Sequence, residues 1–162
     1  MAKKVTLVEL NVYEEMVPLV SGYLQSYACR DEQIKEGFEF RKYVFGVQKS
    51  PQTIIEELSA GESDIYAFSC YLWNMKLVEK VLNALLKKHP NAYFLLGGPE
   101  VMNKTKYLNP EYPKLMICNG EGEQPFANYL KEIHTGNPNF SEVKGLSFFQ
   151  DGELVINESE SR

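Results

Sequence analysis

Apolar positions along the chain switch repeatedly between two spacings. Lys4 to Leu10 (KVTLVEL) is short, apolar and Val-rich, which predicts a strand. Val17 to Cys29 predicts a helix whose start is interrupted by Pro18 and Gly22. Phe38 to Val47 is rich in Phe, Tyr and Val and predicts a second strand. Ser50-Pro51 then opens a helix, with serine as N-cap and proline at the first helical position. It runs through Ile54, Ile55 and Leu58 to a stop at Gly61. Asp64 to Cys70 (DIYAFSC) is the next strand, and Leu72 to His89 the next helix. In that helix Leu77, Val78, Val81, Leu82, Leu85 and Leu86 recur at three- and four-residue steps. His89-Pro90 ends it, because the residue before proline avoids helical backbone. Ala92 to Leu96 (AYFLL) and Lys114 to Cys118 (KLMIC) are further strands. Glu121 to His134 is a helix closed by Thr135-Gly136, and Gly145 to Ile156 is a small hairpin around Asp151-Gly152.

Strand and helix in alternation imply parallel strands joined by helical crossovers. DIYAFSC and AYFLL are almost continuously apolar, as strands are when both faces of a sheet are covered. The fold class is therefore α/β, a doubly wound, mostly parallel sheet of about five strands with helices on both faces and a small C-terminal hairpin.

Composition narrows the function. A chain of 162 residues is the size of one domain, and 44% hydrophobic residues suffice for a core. The net charge is −5, and the basic residues are scattered in pairs such as Lys3–Lys4, Arg41–Lys42 and Lys87–Lys88. Nucleic acid is not the expected partner, since phosphate neutralisation needs clustered cations. No apolar run is long enough to span a bilayer, and Met-Ala-Lys-Lys lacks the apolar core of a signal peptide, so the expectation is a cytoplasmic protein with no membrane partner. Cys29, Cys70 and Cys118 are odd in number and widely spaced, which predicts reduced thiols and no zinc or iron–sulfur site within the chain.

In open α/β sheets, ligands bind beyond the carboxyl ends of the strands. That rule selects four loops: 11–22, 69–74, 97–102 and 119–123. Gly97-Gly98-Pro99-Glu100 lets backbone approach a ligand or turn sharply. Ser69-Cys70-Tyr71-Leu72-Trp73-Asn74 puts a hydroxyl at a strand end and two aromatics after it, suited to a flat, partly apolar ligand. Trp73 as a core cap and Asn74 as a helix cap remain open alternatives. Asn119-Gly120-Glu121-Gly122-Glu123 alternates small residues with carboxylates at a helix start. The helix dipole explains the glutamates, and close approach of a ligand or partner explains the glycines. The loop 11–22 is either a ligand cover or an irregular helix entry. No GxSxG, HExxH, P-loop or spaced Cys–His set is present, and His89 and His134 fall at helix ends, where a cation is favoured.

Three segments in register, DIYAFSCYLWN (64–74), LLGGPEV (95–101) and ICNGEGEQPF (117–126), resemble the N-terminal domain of cobalamin-dependent radical S-adenosylmethionine proteins. The resemblance covers about 4–134. It implies a Rossmann-like domain over 1–140 that holds cobalamin, with 141–162 a hairpin or linker leading to a radical S-adenosylmethionine domain outside this chain. It implies cofactor contacts from Ser69, Cys70, Tyr71, Trp73 and Asn74, from Gly97, Gly98, Pro99 and Glu100, and from Gly120, Glu121, Gly122 and Glu123. The first two loops approach the nucleotide tail, and the Ser69–Asn74 and GEGE segments line the corrin. Full-length members use cobalamin in methyl transfer or other radical chemistry, and S-adenosylmethionine and a [4Fe-4S] cluster belong to their downstream domain. DxHxxG, which supplies a lower axial histidine in methionine synthase and the mutases, is absent. The expectation is cobalamin held base-off with no histidine on cobalt, in a chain not catalytic by itself. Two alternatives stay open: a flavodoxin-like module for another nucleotide or a flavin, and a cofactor-free interaction domain.

Overall fold

The structure is a computed structural model that describes residues 2–12, 19–120 and 122–159. Its elements are β1 (Lys3–Asn11), α1 (Leu19–Ala28), α2 (Glu32–Gly37), β2 (Phe38–Gly46), α3 (Pro51–Ala60), β3 (Ile65–Ser69), α4 (Met75–Lys88), β4 (Tyr93–Gly97), β5 (Leu115–Cys118), α5 (Glu123–His134), β6 (Leu146–Gln150) and β7 (Glu153–Ile156). Among the described residues the strands form one sheet in the order β2-β1-β3-β4-β5-β6-β7. The first five pair in parallel, and β6 and β7 add on antiparallel. The expected parallel sheet is present, and the hairpin extends it. The chain leaves β1 for the edge strand β2 and returns past β1 to β3, so the winding reverses between β1 and β3. Such a switch point opens a crevice at the carboxyl ends of the strands.

Each face of the sheet carries its own core. On one, Val8, Leu10, Tyr66, Phe68, Phe94 and Leu96 pack against Ile54 and Leu58 of α3 and against the Val78–Leu82–Leu85 stripe of α4. Tyr66 stacks on Phe94 at 5.3 Å between centroids, and its buried hydroxyl donates to Leu58 O at 3.1 Å. On the other, Val5, Leu7, Ile65, Ala67, Leu95 and Met116 meet Ala28 in α1's last turn, Ile34 of α2 and Phe126, Leu130 and Ile133 of α5.

Local chemistry explains most boundaries. Ser50 Oγ accepts from Thr53 N at 3.2 Å, and Pro51 begins α3 as expected. That helix stops without a left-handed glycine: Gly61 has φ −74°, and Glu62 takes the positive φ of 45°. Arg41 Nη1 donates to Gly61 O at 2.9 Å and holds the end in place. The hairpin turn has positive φ at both Asp151 (53°) and Gly152 (81°), which matches the twist of its two strands. Helix α2 was not predicted. It has six residues, too few to show a period, and rests on Asp31, whose side chain accepts from Gln33 N and Ile34 N. The helix expected from Leu72 begins at Met75, because Tyr71 to Asn74 form a turn closed by the Asn74 N–H on Tyr71 O.

At the ends of β3 and β4 two backbones nearly touch. Cys70 N donates to Gly97 O at 2.7 Å, and Glu100 N donates to Cys70 O at 3.3 Å. Gly98 sits between these bonds with φ 110°, and a Cβ there would lie 2.4 Å from Cys70 O. Gly98→Ala is therefore expected to cost more than about 2 kcal/mol, combining a disallowed φ with a backbone clash. Urea unfolding of the two proteins measures this, and a loss below about 0.5 kcal/mol would mean that the crossing yields freely.

Candidate functional site

Side chains alternate across a strand, so each second residue of β3, β4 and β5 faces α1 and α5. Near the carboxyl ends these residues are small. Ala67 pairs with Leu95, Ser69 with Gly97, and Gly97 with Cys118. A Cβ added at Gly97 would meet no atom within 4 Å. Above this floor lies a cavity of about 400 Å³, within the size range of small-molecule sites. Val20, Ser21, Tyr23 and Leu24 of α1 form one wall, Glu123 and Phe126 of α5 the other, and Leu7 of β1 closes the floor at the switch point.

The structure brings Ser69, Tyr71, Gly97, Gly98, Gly120, Gly122 and Glu123 to the lining of this cavity. Glu121 lies outside the described residues, as do residues 13–18 of the loop 11–22. The other expected contacts are not part of that lining. Cys70 is fully buried on the α3–α4 side. Pro99 is exposed, and Glu100 accepts from Tyr107 Oη at 3.2 Å and pairs with Lys104 Nζ at 3.2 Å. Trp73 stacks on Tyr71 at 5.1 Å with planes 5° apart and stays 49% exposed, beside Leu72 at 82%. Together they form a flat apolar rim at the strand ends. Burial, then the nearby charge of Glu9, pushes the Tyr71 phenol upward, so it stays a protonated donor at neutral pH.

Asn74 holds the site together. Its amide donates to Leu10 O at 3.0 Å and Ser69 O at 3.1 Å, and its oxygen accepts from Tyr71 N at 2.8 Å. It thus ties β1, β3 and the aromatic loop, and makes no side-chain cap on α4. Asn119 does the same one strand pair further on. It accepts from Asn103 N and donates to Ser147 Oγ at 3.0 Å. Gly120 turns out of β5 with φ 82°, and helix α5 starts behind Gly122, which as a glycine offers it no side-chain cap.

Reading for strand ends located the loops but missed the α1 wall and the floor residues Leu7, Ala67 and Leu95. The helix itself was expected over Val17 to Cys29, but nothing in its sequence said that one side of it would wall a cavity. The floor carried a usable signal: small residues at alternate positions of two adjacent strands, Ala67 and Ser69 beside Gly97.

Residues 31–130 match the model of the B12 binding domain family. The chain belongs to that family. It is 32% identical over 157 residues to the cobalamin-dependent radical SAM methyltransferase TokK of Streptomyces tokunonensis, across 95% of this chain and 22% of TokK. It is 31% identical over 156 residues to the 2-(S-pantetheinyl)-carbapenam-3-carboxylate methyltransferase of Streptantibioticus cattleyicolor, across 94% of this chain and 22% of that protein. The B12 binding domain spans about a fifth of the length of each, given the 22% coverage. Its fold is shared with the cobalamin-dependent S-adenosylmethionine radical enzyme OxsB, solved with aqua-cobalamin and S-adenosylmethionine bound. The TM-score is 0.79 at 24% identity, across 99% of this chain and 23% of OxsB. Among the described residues no helix is long and apolar enough to cross a membrane.

The thiols of this B12 binding domain are quiet. Burial pushes Cys70 and Cys118 up to about 12, and burial also raises Cys29, partly offset by Lys35. The thiolate is the reactive form, so at pH 8 the two buried thiols stay protonated as well as shielded. Iodoacetamide at pH 8 is expected to modify Cys29 alone in the native chain and all three thiols in denaturant, read by intact mass. Native modification of Cys118 would show a more open cavity floor.

Proposed function

We propose that the chain holds cobalamin with its nucleotide tail in the cavity and its corrin across the loops at the strand ends, as the cofactor module of a radical S-adenosylmethionine methyltransferase. The observation that carries this is the open floor. Ala67, Ser69 and Gly97 leave a slot at the β1/β3 switch point, and the space above Gly97 is empty to 4 Å. A long, slender tail that ends in an aromatic base fits such a slot, lined by Leu24, Leu95 and Phe126. When bound, cobalamin supplies the cobalt-centred chemistry, and the protein supplies binding, orientation and shielding. The stacked Tyr71 and Trp73 offer the ring a flat apolar surface, and burying their exposed area with Leu72 and Tyr23 removes an apolar patch from water.

In this reading the tail's own base stays in the slot, away from cobalt, and no histidine replaces it. The two histidines support that. His89 follows the last turn of α4, and His134 ends α5 against Gly37 and Phe38. Helices of 14 and 12 residues carry them about 21 and 18 Å from the strand ends where the cavity opens. The proposal places the cofactor module at 1–140 and takes 141–162 as the hairpin and link toward the domain holding S-adenosylmethionine and its [4Fe-4S] cluster. It also places the protein in the cytoplasm, where three unpaired thiols are at home.

Incubation with hydroxocobalamin, desalting and a visible spectrum test the reading. Retained corrin with a base-off spectrum, unchanged by His89→Ala and His134→Ala, is expected. Gly97→Leu should fill the slot without straining the fold, lowering affinity at least tenfold, or about 1.4 kcal/mol, with circular dichroism unchanged. No retained corrin, or a base-on spectrum, would overturn it.

A further inference from the structure

The cavity is graded, polar at its mouth and apolar at its floor. Strand pairing sets this grade in two rows of lining residues. Ser69, Gly97 and Cys118 pair across β3, β4 and β5 in the row nearer the strand ends. Leu7, Ala67 and Leu95 pair across β1, β3 and β4 in the row below, two residues or about 7 Å deeper. The walls follow the same order. Glu123 opens α5, and Phe126 comes one turn further along it. Ser21 stands near the start of α1, and Leu24 one turn on. Every side chain of the floor row is thus hydrocarbon, and Phe126 adds an aromatic face. The floor's backbone is spent as well, because β1, β3 and β4 each pair with a strand on both sides. A donor or acceptor pushed down to that row would lose its water and gain no partner.

We infer that this floor selects among corrinoids by the base that ends the tail. It takes a base whose far edge is hydrocarbon, such as dimethylbenzimidazole, and rejects one that carries a hydroxyl or amino group on that edge. Leu7, Ala67, Leu95 and Phe126 are the specificity-determining residues. The inference rests on the cobalamin reading above, which puts the tail in the slot. The ribose and phosphodiester that join base to ring are polar, so they belong at the mouth, beside the hydroxyls of Ser21, Ser69 and Tyr71. The base is the part of the tail left for the apolar floor.

The test compares the affinity of the unaltered chain for three probes. They are hydroxocobalamin, the cobamide that carries 5-hydroxybenzimidazole in place of dimethylbenzimidazole, and cobinamide, the same ring without the nucleotide. The first two keep the same ring nitrogen for cobalt, so they differ at the far edge of the base. The hydroxylated cobamide is expected to bind about tenfold more weakly than hydroxocobalamin, the effect of burying one unpaired hydroxyl. Cobinamide should also bind more weakly than hydroxocobalamin. Ala67→Val narrows the floor with a side chain suited to a strand. It should lower hydroxocobalamin affinity at least fivefold and leave cobinamide affinity unchanged, with circular dichroism checking the fold. Equal affinity for the two cobamides, with cobinamide weaker, overturns the inference alone, and so does an equal loss of hydroxocobalamin and cobinamide in a folded Ala67→Val. If that variant does not fold, the two cobamides on the unaltered chain decide. Equal affinity for cobinamide and hydroxocobalamin, or no uptake of either, overturns the proposed function as well.

Discussion

The strict two-residue alternation of side chains on parallel, in-register strands is the constraint on which the rest depends. On β3 it sends Tyr66 and Phe68 one way and Ala67 and Ser69 the other. On β4 it sends Phe94 and Leu96 one way and Leu95 and Gly97 the other. The same two strands thus build an aromatic, fully packed core under α3 and α4 and a thinning layer under α1 and α5. Shifting either strand by one residue would drive Tyr66 or Phe94 into the cavity and empty the opposite core. The hollow face is stable because the filled one fixes the register, with Tyr66 stacked on Phe94 and anchored to Leu58 O.

Neighbouring glycines show how finely function is divided at the strand ends. Gly97 and Gly98 look alike as a dipeptide, yet their surroundings are opposite. Beside Gly97 there is open space, and beside Gly98 the carbonyl of Cys70 leaves no room for a methyl group. One leaves space in the cavity floor, and the other lets two backbones cross. The crossing, with the clamps at Asn74 and Asn119, holds the loops in one arrangement without any ligand. A preformed slot spares a ligand the cost of ordering those loops on binding.

This division also decides what was legible in the sequence. The order of strands and helices was readable because the apolar spacing alternates between two periods over long segments, as in DIYAFSC and the Leu77–Leu86 stripe. The strand ends were readable because parallel sheets bind ligands there, and three loops carried unusual residues. What a side chain does at a strand end was not readable. Asn74 has the sequence position of a helix cap but spends its three hydrogen bonds on the backbone of β1, β3 and the loop. Glu100 stands in a glycine-rich loop but is taken up by Tyr107 and Lys104. Such partners depend on residues brought together by the fold, many positions apart. The six-residue helix α2 escaped for another reason: it rests on one capping aspartate, with no period to detect.

The placement of the reactive side chains argues that this chain supplies shape rather than chemistry. Its two buried thiols, Cys118 under the cavity and Cys70 on the opposite face, are shielded, and burial that pushes both up to about 12 denies them nucleophilic character. Its two imidazoles lie at the far ends of helices that run away from the strand ends. What the strand ends do present is a slot, a flat aromatic surface from Tyr71 and Trp73, and one polar corner around Ser21 and Ser69. Those features can discriminate ligands by length and by flatness. In the proposed reading the reactive centre is carried by the cobalamin that the slot holds, and the fold's contribution is to fix that group in one orientation.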